Sequence, residues 1–128
     1  MTIKSSQELV SDALKQVTTI TPEKALELIN DNKCNLIDIR DALELQSEGS
    51  VENTHHMPRG LLEFIINPES PFFKNENLDL HKEMVLFCAA GGRSALAAKT
   101  LQEMGFKKVS HIEGGFKLMK QKGFKIKN

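Results

Sequence analysis

Cys88 is followed by small residues and an arginine at a spacing that could activate a thiol. The segment reads Met84-Val85-Leu86-Phe87-Cys88-Ala89-Ala90-Gly91-Gly92-Arg93-Ser94. An apolar run short enough for a buried strand ends at the cysteine, and a helical pattern begins near Ser94. If residues 89–93 wrap around the sulfur, their backbone N–H groups form an anion nest at a helix N-terminus. The chemistry predicted for this loop is that of a stabilised thiolate.

Several features of the loop favour a reactive cysteine. The helix dipole places partial positive charge near the sulfur, and the guanidinium of Arg93 adds a full charge, and both lower the pKa of a thiol. Gly91 or Gly92 can adopt positive φ, and Ser94 can cap the following helix. A lone cysteine is more often a buried structural residue. The Gly-Gly-Arg-Ser continuation favours the nucleophile for Cys88.

The segment from Cys88 to Ser94 resembles the active-site loop of the rhodanese-homology domain, in its single-domain sulfurtransferase form. The resemblance extends from about residue 20 to about residue 124 and rests on three further segments. These are Leu36-Ile37-Asp38-Ile39-Arg40 with Glu44 and Gly49, then Met57-Pro58-Arg59-Gly60, then Gly114-Gly115-Phe116. The sequence departs from the family pattern at residues 50–56, where the family usually has a histidine and a small glycine turn. It also has Met119 where the family commonly has tryptophan.

The resemblance implies the rhodanese fold, an α/β fold with a parallel-rich central sheet and helices on both faces. Alternation of short apolar strands with helices indicates the same class. The implied reaction is a double displacement, in which the Cys88 thiolate takes the outer sulfur of a donor as a persulfide and passes it to an acceptor. The predicted site has Cys88 as nucleophile, the loop residues Ala89, Ala90, Gly91, Gly92, Arg93 and Ser94, and the supporting residues Asp38, Arg40 and Arg59. No metal or organic cofactor is implied.

Loop length and one loop residue bear on the substrate. Arg93 follows Cys88 by five positions, whereas related cysteine phosphatases and arsenate reductases have one more residue with which to surround a tetrahedral oxyanion. The shorter loop favours sulfur transfer over the alternative of a cysteine-based phosphatase or arsenate reductase. Ala89 stands where typical thiosulfate enzymes often carry arginine, so thiosulfate is expected to be a poor donor and a persulfide is the alternative. The expected partners are a small anionic sulfur donor and a thiol or cyanide acceptor, with a sulfur-acceptor protein as a further candidate. A sulfur carrier or protein-binding module without efficient turnover is the non-enzymatic alternative.

The supporting residues are open to two interpretations. Asp38 lies near the end of the predicted buried strand 34–39, where a carboxylate needs a partner and where a parallel sheet has its functional edge. Asp38 and Arg40 could form a local structural ion pair or could position the Cys88 loop, and we predict a scaffold role in preference to direct chemistry. Arg59 is predicted with equal weight to hold an anionic donor at the mouth of the site or to be an exposed arginine.

Composition excludes several classes of protein. The 128 residues predict one domain, and the 17 basic and 17 acidic residues give no net charge to attract nucleic acid or an acidic membrane. No apolar run approaches the roughly 20 residues of a membrane span. Two cysteines, Cys34 and Cys88, with no signal sequence predict a cytoplasmic, reducing location. His55-His56 and the isolated His81 and His111 lack metal-ligand spacing and are predicted to be structural or surface residues.

The elements expected around the loop follow from local patterns. Residues 1–19 are predicted as an N-terminal helix packed on the domain, and residues 20–128 as a single rhodanese-like domain. The first helix begins with a capping box at Ser5 and Glu8, and its apolar stripe is predicted to pack on the core. That stripe consists of Leu9, Val10, Ala13, Leu14 and Val17. Residues 18–22, Thr-Thr-Ile-Thr-Pro, break the helical pattern, and a second helix begins after Thr21. A third helix runs from a capping box at Asp41 and Glu44 to Gly49, and residues 67–80 form a long loop.

Overall fold

Helices and strands alternate along most of the chain. The computed structural model describes residues 2–73 and 77–128. The helices are α1 (Ser6–Leu14), α2 (Pro22–Asn30), α3 (Ala42–Glu48), α4 (Leu62–Ile66), α5 (Gly92–Glu103) and α6 (Gly115–Met119), and a 3-10 turn (Arg59–Leu61) precedes α4. The strands are β1 (Thr18–Ile20), β2 (Cys34–Asp38), β3 (Ser50–Val51), β4 (His55–His56), β5 (Glu83–Phe87), β6 (Val109–Ile112) and β7 (Ile126–Lys127). The predicted loop 67–80 includes residues 74–76, which lie outside the described part, and its described residues hold no helix or strand.

The central sheet has five strands in the order β1-β6-β5-β2-β4, and every pair in it is parallel. A separate antiparallel pair joins β3 to β7. The predicted α/β class with a parallel-rich sheet is therefore confirmed. Because the strands are parallel, the carboxyl ends of β2, β5 and β6 lie at one edge, which is where the Cys88 loop begins.

Alternate residues of β5 serve two separate cores, one on each face of the sheet. Met84 and Leu86 pack in the first core with Cys88 and the α5 residue Leu101. Val85, Phe87, Phe116 and Met119 belong to the second core, on the face that α6 covers. Period-two alternation continues through the end of the strand, so Cys88 points toward the α5 side. The strand itself thus directs the sulfur beneath the start of α5.

The first helix packs less deeply than the sequence predicts. Its capping box at Ser5 forms as predicted, and α1 contacts α5. Only Ala13 is completely buried, whereas Leu9 and Leu14 are each 44% exposed. Of the stripe predicted to pack on the core, Ala13 is buried and Val17 packs against the core. The prediction was wrong for Leu9 and Leu14, because a helix lying chiefly against one other helix buries only a narrow strip. Residues 18–20, read from the sequence as a break, form the edge strand β1, as β-branched residues favour.

Candidate active site

The residues after β5 wrap around the Cys88 sulfur and direct hydrogen-bond donors at it. The Gly91 N–H donates to Sγ at 3.1 Å, and the Ser94 N–H donates at 3.4 Å. The Ser94 hydroxyl oxygen lies 3.5 Å from Sγ. Cys88 is only 1% exposed. Ser94 does not cap α5 as its sequence position suggested, because the helix already begins at Gly92 with Gly91 as its N-cap at φ 112°.

The loop favours ionisation of the Cys88 thiol. Burial has the largest single influence and raises the pKa of Cys88, because an ion is poorly solvated in the interior. Hydrogen bonds from the Ser94 hydroxyl and from the N–H groups of Ser94, Gly91 and Ala90 together outweigh burial, so the pKa lies below its ordinary value. At Cys34, by contrast, burial raises the pKa to about 11. Since the thiolate is the nucleophile, Cys88 is the cysteine suited to react.

Two backbone N–H groups of α6 hold the loop in this conformation. The Phe116 N–H donates to the Cys88 carbonyl oxygen at 2.8 Å, and the Lys117 N–H donates to the Ala89 carbonyl oxygen at 3.1 Å. A trans peptide points its carbonyl and its N–H in opposite directions. Anchoring the Ala89 carbonyl on α6 therefore turns the N–H of Ala90 toward the sulfur, in line with its effect on the Cys88 pKa.

Arg93 forms a bidentate ion pair with Glu44, a residue of α3. Its two terminal nitrogens lie 2.7 and 2.9 Å from the two carboxylate oxygens. The hydrogen bonds that Arg93 donates lower the pKa of Glu44 to about 2. The same hydrogen bonds raise the pKa of Arg93, and the negative charge of the nearby Cys88 sulfur also raises it. The guanidinium thus lies near the sulfur, but a carboxylate matches its charge. Glu44 lies in a segment that resembles a family signature, but it was not predicted from the sequence to be a site residue.

Glu44→Gln is expected to remove a contribution to stability that depends on pH. The folded-state pKa of Glu44 is about 2 against an ordinary 4.5, so its contribution is present above about pH 4.5 and is lost as the pH falls through about 2. Both partners are partly exposed, which limits the effect to about 1 kcal/mol or less. Urea unfolding across this pH range should show a difference from wild type that shrinks as the pH falls.

The control for that experiment is Glu48→Gln on the same helix. Glu48 has no ion-pair partner among residues 2–73 and 77–128. Its substitution should therefore leave the pH dependence of unfolding close to that of wild type. A Glu44→Gln difference that stays constant across the range would show that the ion pair does not supply the effect.

Asp38 and Arg40 form a buried ion pair beside the loop. Arg40 Nε and one terminal nitrogen donate to the Asp38 carboxylate at 3.1 and 2.8 Å. Arg40 is 0% exposed and Asp38 is 1% exposed. The same terminal nitrogen donates to the Gly49 carbonyl oxygen at 2.9 Å. The guanidinium carbon lies 3.9 Å from the centre of the Phe116 ring. The pair thus lies against Phe116, whose backbone N–H holds the Cys88 carbonyl, and near the ring of Phe87, the residue before Cys88.

The structure does not bring Arg59 to the loop. Its guanidinium donates to the Glu63 carboxylate at 3.0 Å and to the Thr100 hydroxyl at 3.1 Å. Thr100 lies eight residues after the start of α5, which is about two turns or 12 Å along the helix. Arg59 therefore has neither of the two positions predicted from the sequence, and its side chain instead links α4 to α5.

His111 lies behind the loop, although the sequence showed it only as an isolated histidine. Its Nδ1 lies 2.9 Å from the Ser94 hydroxyl oxygen, and its Nε2 lies 2.9 Å from the Thr19 hydroxyl oxygen. The sheet register places His111 level with Leu86, just before Cys88. No local pattern in the sequence indicates this contact, because it depends on the order of the strands.

The described residues hold neither a metal-binding cluster nor a membrane-spanning helix. Within residues 2–73 and 77–128, no group of three or more His, Cys, Asp or Glu side chains is placed to hold a metal ion. In the same part of the chain, no helix has both the length and the apolar character needed to cross a membrane.

Comparison with known proteins identifies relatives over most of the chain. The model of the rhodanese-like domain family matches residues 21–122. A Rhodopseudomonas palustris protein of unknown function, named a possible tyrosine phosphatase, is 38% identical over 99% of this chain and 98% of its own, with a TM-score of 0.88. The homodimeric polysulfide-sulfur transferase of Wolinella succinogenes is 36% identical over 93% of this chain and 84% of its own, with a TM-score of 0.73. A thiosulfate sulfurtransferase from Pseudomonas aeruginosa, 18% identical over 91% of this chain and 21% of its own, shares the fold with a TM-score of 0.73.

Proposed function

This chain belongs to the rhodanese-like domain family, and we propose that it is a sulfurtransferase that works through a persulfide on Cys88. One observation carries the proposal. The loop after β5 directs N–H groups and a hydroxyl at a buried sulfur and lowers the pKa of its thiol. A structural cysteine needs no such set of donors.

The reaction follows from what these donors can stabilise. The Cys88 thiolate attacks the sulfane sulfur of the donor, so a new S–S bond forms while the donor's own bond to that sulfur breaks and its electron pair leaves with the remainder. The loop N–H groups then stabilise the anionic outer sulfur of the persulfide. An acceptor nucleophile takes that sulfur, and the electron pair of the broken S–S bond returns to Sγ. The thiolate is regenerated for the next cycle.

We propose a polysulfide or persulfide as the donor in preference to thiosulfate. Ala89 supplies no cationic side chain beside the sulfur, and the charge of Arg93 is matched by Glu44. Thiosulfate carries three sulfonate oxygens that need cationic or hydrogen-bonding partners, which a polysulfide does not, and neither Ala89 nor the paired Arg93 offers them an unmatched cation. The relative from Wolinella succinogenes, a polysulfide-sulfur transferase, supports the same choice of donor.

The proposed acceptor is a small thiol or cyanide, with a sulfur-acceptor protein as a further candidate. A cytoplasmic location accords with a reaction that needs a reduced cysteine, since thiols are kept reduced there. Neither nucleic acid nor membrane is proposed as a partner, in keeping with the balanced charge of the chain.

A cysteine phosphatase is the second candidate because the Rhodopseudomonas palustris relative is named a possible tyrosine phosphatase. Phosphate chemistry needs the loop arginine to bind a tetrahedral oxyanion. Here Arg93 is engaged in two hydrogen bonds with Glu44, and the loop is one residue shorter than in the phosphatases that it resembles. Sulfur transfer is therefore the better supported function.

The decisive experiment is the intact mass of the protein after treatment with polysulfide or thiosulfate. Wild type and Cys34→Ser should each gain reducible sulfur, and Cys88→Ser should gain none. Polysulfide should load Cys88 about tenfold faster than thiosulfate, the equivalent of about one hydrogen bond to a charged group. Cyanide should then remove the sulfur as thiocyanate over many turnovers.

The other outcomes separate the alternatives. Loading of Cys88 without repeated turnover to cyanide or thiols would contradict the enzyme and leave a sulfur carrier. Failure of every donor to load Cys88, together with hydrolysis of p-nitrophenyl phosphate, would overturn sulfur transfer in favour of phosphatase activity. Cys34→Ser is the matched control, because Cys34 has a raised pKa and lies outside the loop.

A further inference from the structure

Three hydrogen bonds connect the buried Cys88 sulfur to the protein surface. Sγ lies 3.5 Å from the Ser94 hydroxyl oxygen, which lies 2.9 Å from Nδ1 of His111. On the far side of the ring, Nε2 lies 2.9 Å from the hydroxyl oxygen of Thr19. Cys88 and His111 are buried, whereas Thr19, on the edge strand β1, is exposed. The row of atoms thus crosses from the site to solvent behind the loop.

We propose that Ser94, His111 and Thr19 form a proton wire, which carries the Cys88 thiol proton to solvent and leaves the Ser94 hydroxyl directed at the thiolate. The Sγ proton passes to the Ser94 oxygen, and the original Ser94 hydroxyl proton passes to Nδ1 of His111. The Nε2 proton passes to the Thr19 oxygen, and the original Thr19 hydroxyl proton passes to a water molecule. Each internal group gains one proton and loses one, so His111 is neutral before and after the transfer.

A neutral imidazole makes the wire directional. One of its nitrogens is a donor and the other an acceptor, so protonation of Nδ1 obliges Nε2 to accept from Thr19. With Cys88 as a thiol, every hydrogen bond points away from the sulfur, and with Cys88 as a thiolate every one points toward it. The hydrogen-bonding groups that face His111 are Ser94 on α5 and Thr19 on β1. Burial is the cause of its lowered pKa.

This reversal matters because Ser94 has a competing acceptor. The Gly91 carbonyl oxygen lies 3.3 Å from the Ser94 hydroxyl oxygen and can accept its proton. A thiolate is a stronger acceptor than a carbonyl because it is charged. When Nδ1 of His111 carries a proton, it donates a hydrogen bond to the Ser94 oxygen. The Ser94 hydroxyl then donates its own proton in a hydrogen bond to Sγ. His111 and Thr19 are therefore positioning residues, and the inference depends on the proposed function only for Cys88 as the nucleophile.

The test is heteronuclear NMR of the His111 ring nitrogens as the pH is raised. Nε2 should carry the proton while Cys88 is a thiol, and Nδ1 should carry it once Cys88 is ionised. The midpoint should equal that of Cys88 alkylation by iodoacetamide, and Cys88→Ser should hold one tautomer throughout. A tautomer that stays constant while wild-type Cys88 titrates, or protonation of both nitrogens, would overturn the wire. Because the test needs no sulfur donor, its failure is distinct from failure of sulfur transfer.

The surface end of the wire is tested by Thr19→Val, with Thr18→Val as the matched control. Thr18 is the neighbouring exposed residue of β1, and its side chain points to the opposite face of the strand. At the titration midpoint wild type and Thr18→Val should show one averaged set of His111 signals. Thr19→Val should show two sets, because proton exit is slowed. One averaged set in Thr19→Val would remove Thr19 from the wire.

A substitution at His111 measures the effect on the sulfur. In His111→Leu no donor fills the Ser94 oxygen, so the Ser94 hydroxyl proton is shared between Sγ and the Gly91 carbonyl. Alkylation of Cys88 at a pH below the midpoint of its titration should therefore be about fivefold slower, the equivalent of one net hydrogen bond. His111→Asn keeps a side-chain amide beside Ser94 and should restore most of that rate. Equal rates in wild type and His111→Leu would contradict the role assigned to His111.

Discussion

Gly115→Ala is expected to slow persulfide loading of Cys88 by about 10²-fold, the loss typical of removing one preorganised donor from an active site. A Cβ at Gly115 would lie 2.5 Å from the Cys88 carbonyl oxygen and 2.7 Å from the Ala89 carbonyl carbon. Both are backbone atoms of the loop, so no flexible side chain can move aside. Gly115 also has φ +57°, a conformation that an alanine adopts only with strain. The loop must then move away from α6, and the hydrogen bond from the Phe116 N–H to the Cys88 carbonyl oxygen is lost.

The same substitution should lower the free energy of unfolding by about 1–3 kcal/mol, as overpacking does. Gly60→Ala is the control, because a Cβ there would have no heavy atom within 4 Å. The measurements are loading with polysulfide, the pH profile of Cys88 alkylation and urea unfolding. We expect a raised Cys88 pKa in Gly115→Ala once the Ala90 N–H turns away from the sulfur. If Gly115→Ala loads at the wild-type rate and its pH profile of alkylation is unchanged, α6 does not determine the conformation of the loop.

The loop and its neighbouring helices could be predicted from sequence because their signals are local. A capping box needs residues three apart, and the spacings at Ser5 and Asp41 identified the starts of α1 and α3. The apolar runs identified β2 and β5, and their alternation with helices gave the fold class. Cys88 and its small-residue loop likewise form one continuous segment.

Contacts between distant parts of the chain could not be predicted in this way. Glu44 and Arg93 lie 49 residues apart, and their pairing depends on where α3 sits relative to the start of α5. His111 meets Ser94 only because β6 is the neighbour of β5 in the sheet. A single sequence specifies strands far better than it specifies their order.

Arg59 shows how a motif can mislead about position. The segment around it resembles a family signature, and an arginine there could reach an anion at the mouth of the site. In the structure the backbone N–H of Arg59 donates to the Ile39 carbonyl oxygen at 3.0 Å, which fixes the backbone of Arg59 beside β2. The side chain then extends to Thr100 on α5 instead of toward Cys88. Its direction depends on the path of the chain after β4, which the motif does not contain.

Asp38→Ala is expected to lower the free energy of unfolding by about 3–5 kcal/mol, the cost of breaking a buried ion pair by removing one partner. Arg40 is completely buried, and a guanidinium does not lose its proton in a protein. One of its terminal nitrogens already has no hydrogen-bond partner among the described residues. Without Asp38 the remaining side-chain interactions of Arg40 would be the hydrogen bond to the Gly49 carbonyl and contact with the rings of Phe87 and Phe116.

Two further variants distinguish a stranded charge from lost packing. Asp38→Asn keeps an oxygen that can accept from the Arg40 backbone N–H, which now donates to Asp38 at 3.0 Å, and should cost less than Asp38→Ala. The double variant Asp38→Ala with Arg40→Met removes the unpaired charge and should be more stable than Asp38→Ala alone. Urea unfolding of the three variants measures these differences. If the double variant is instead the least stable, the cost lies in packing against Phe116. The ion pair would then support the Cys88 loop by its volume and not by its charge.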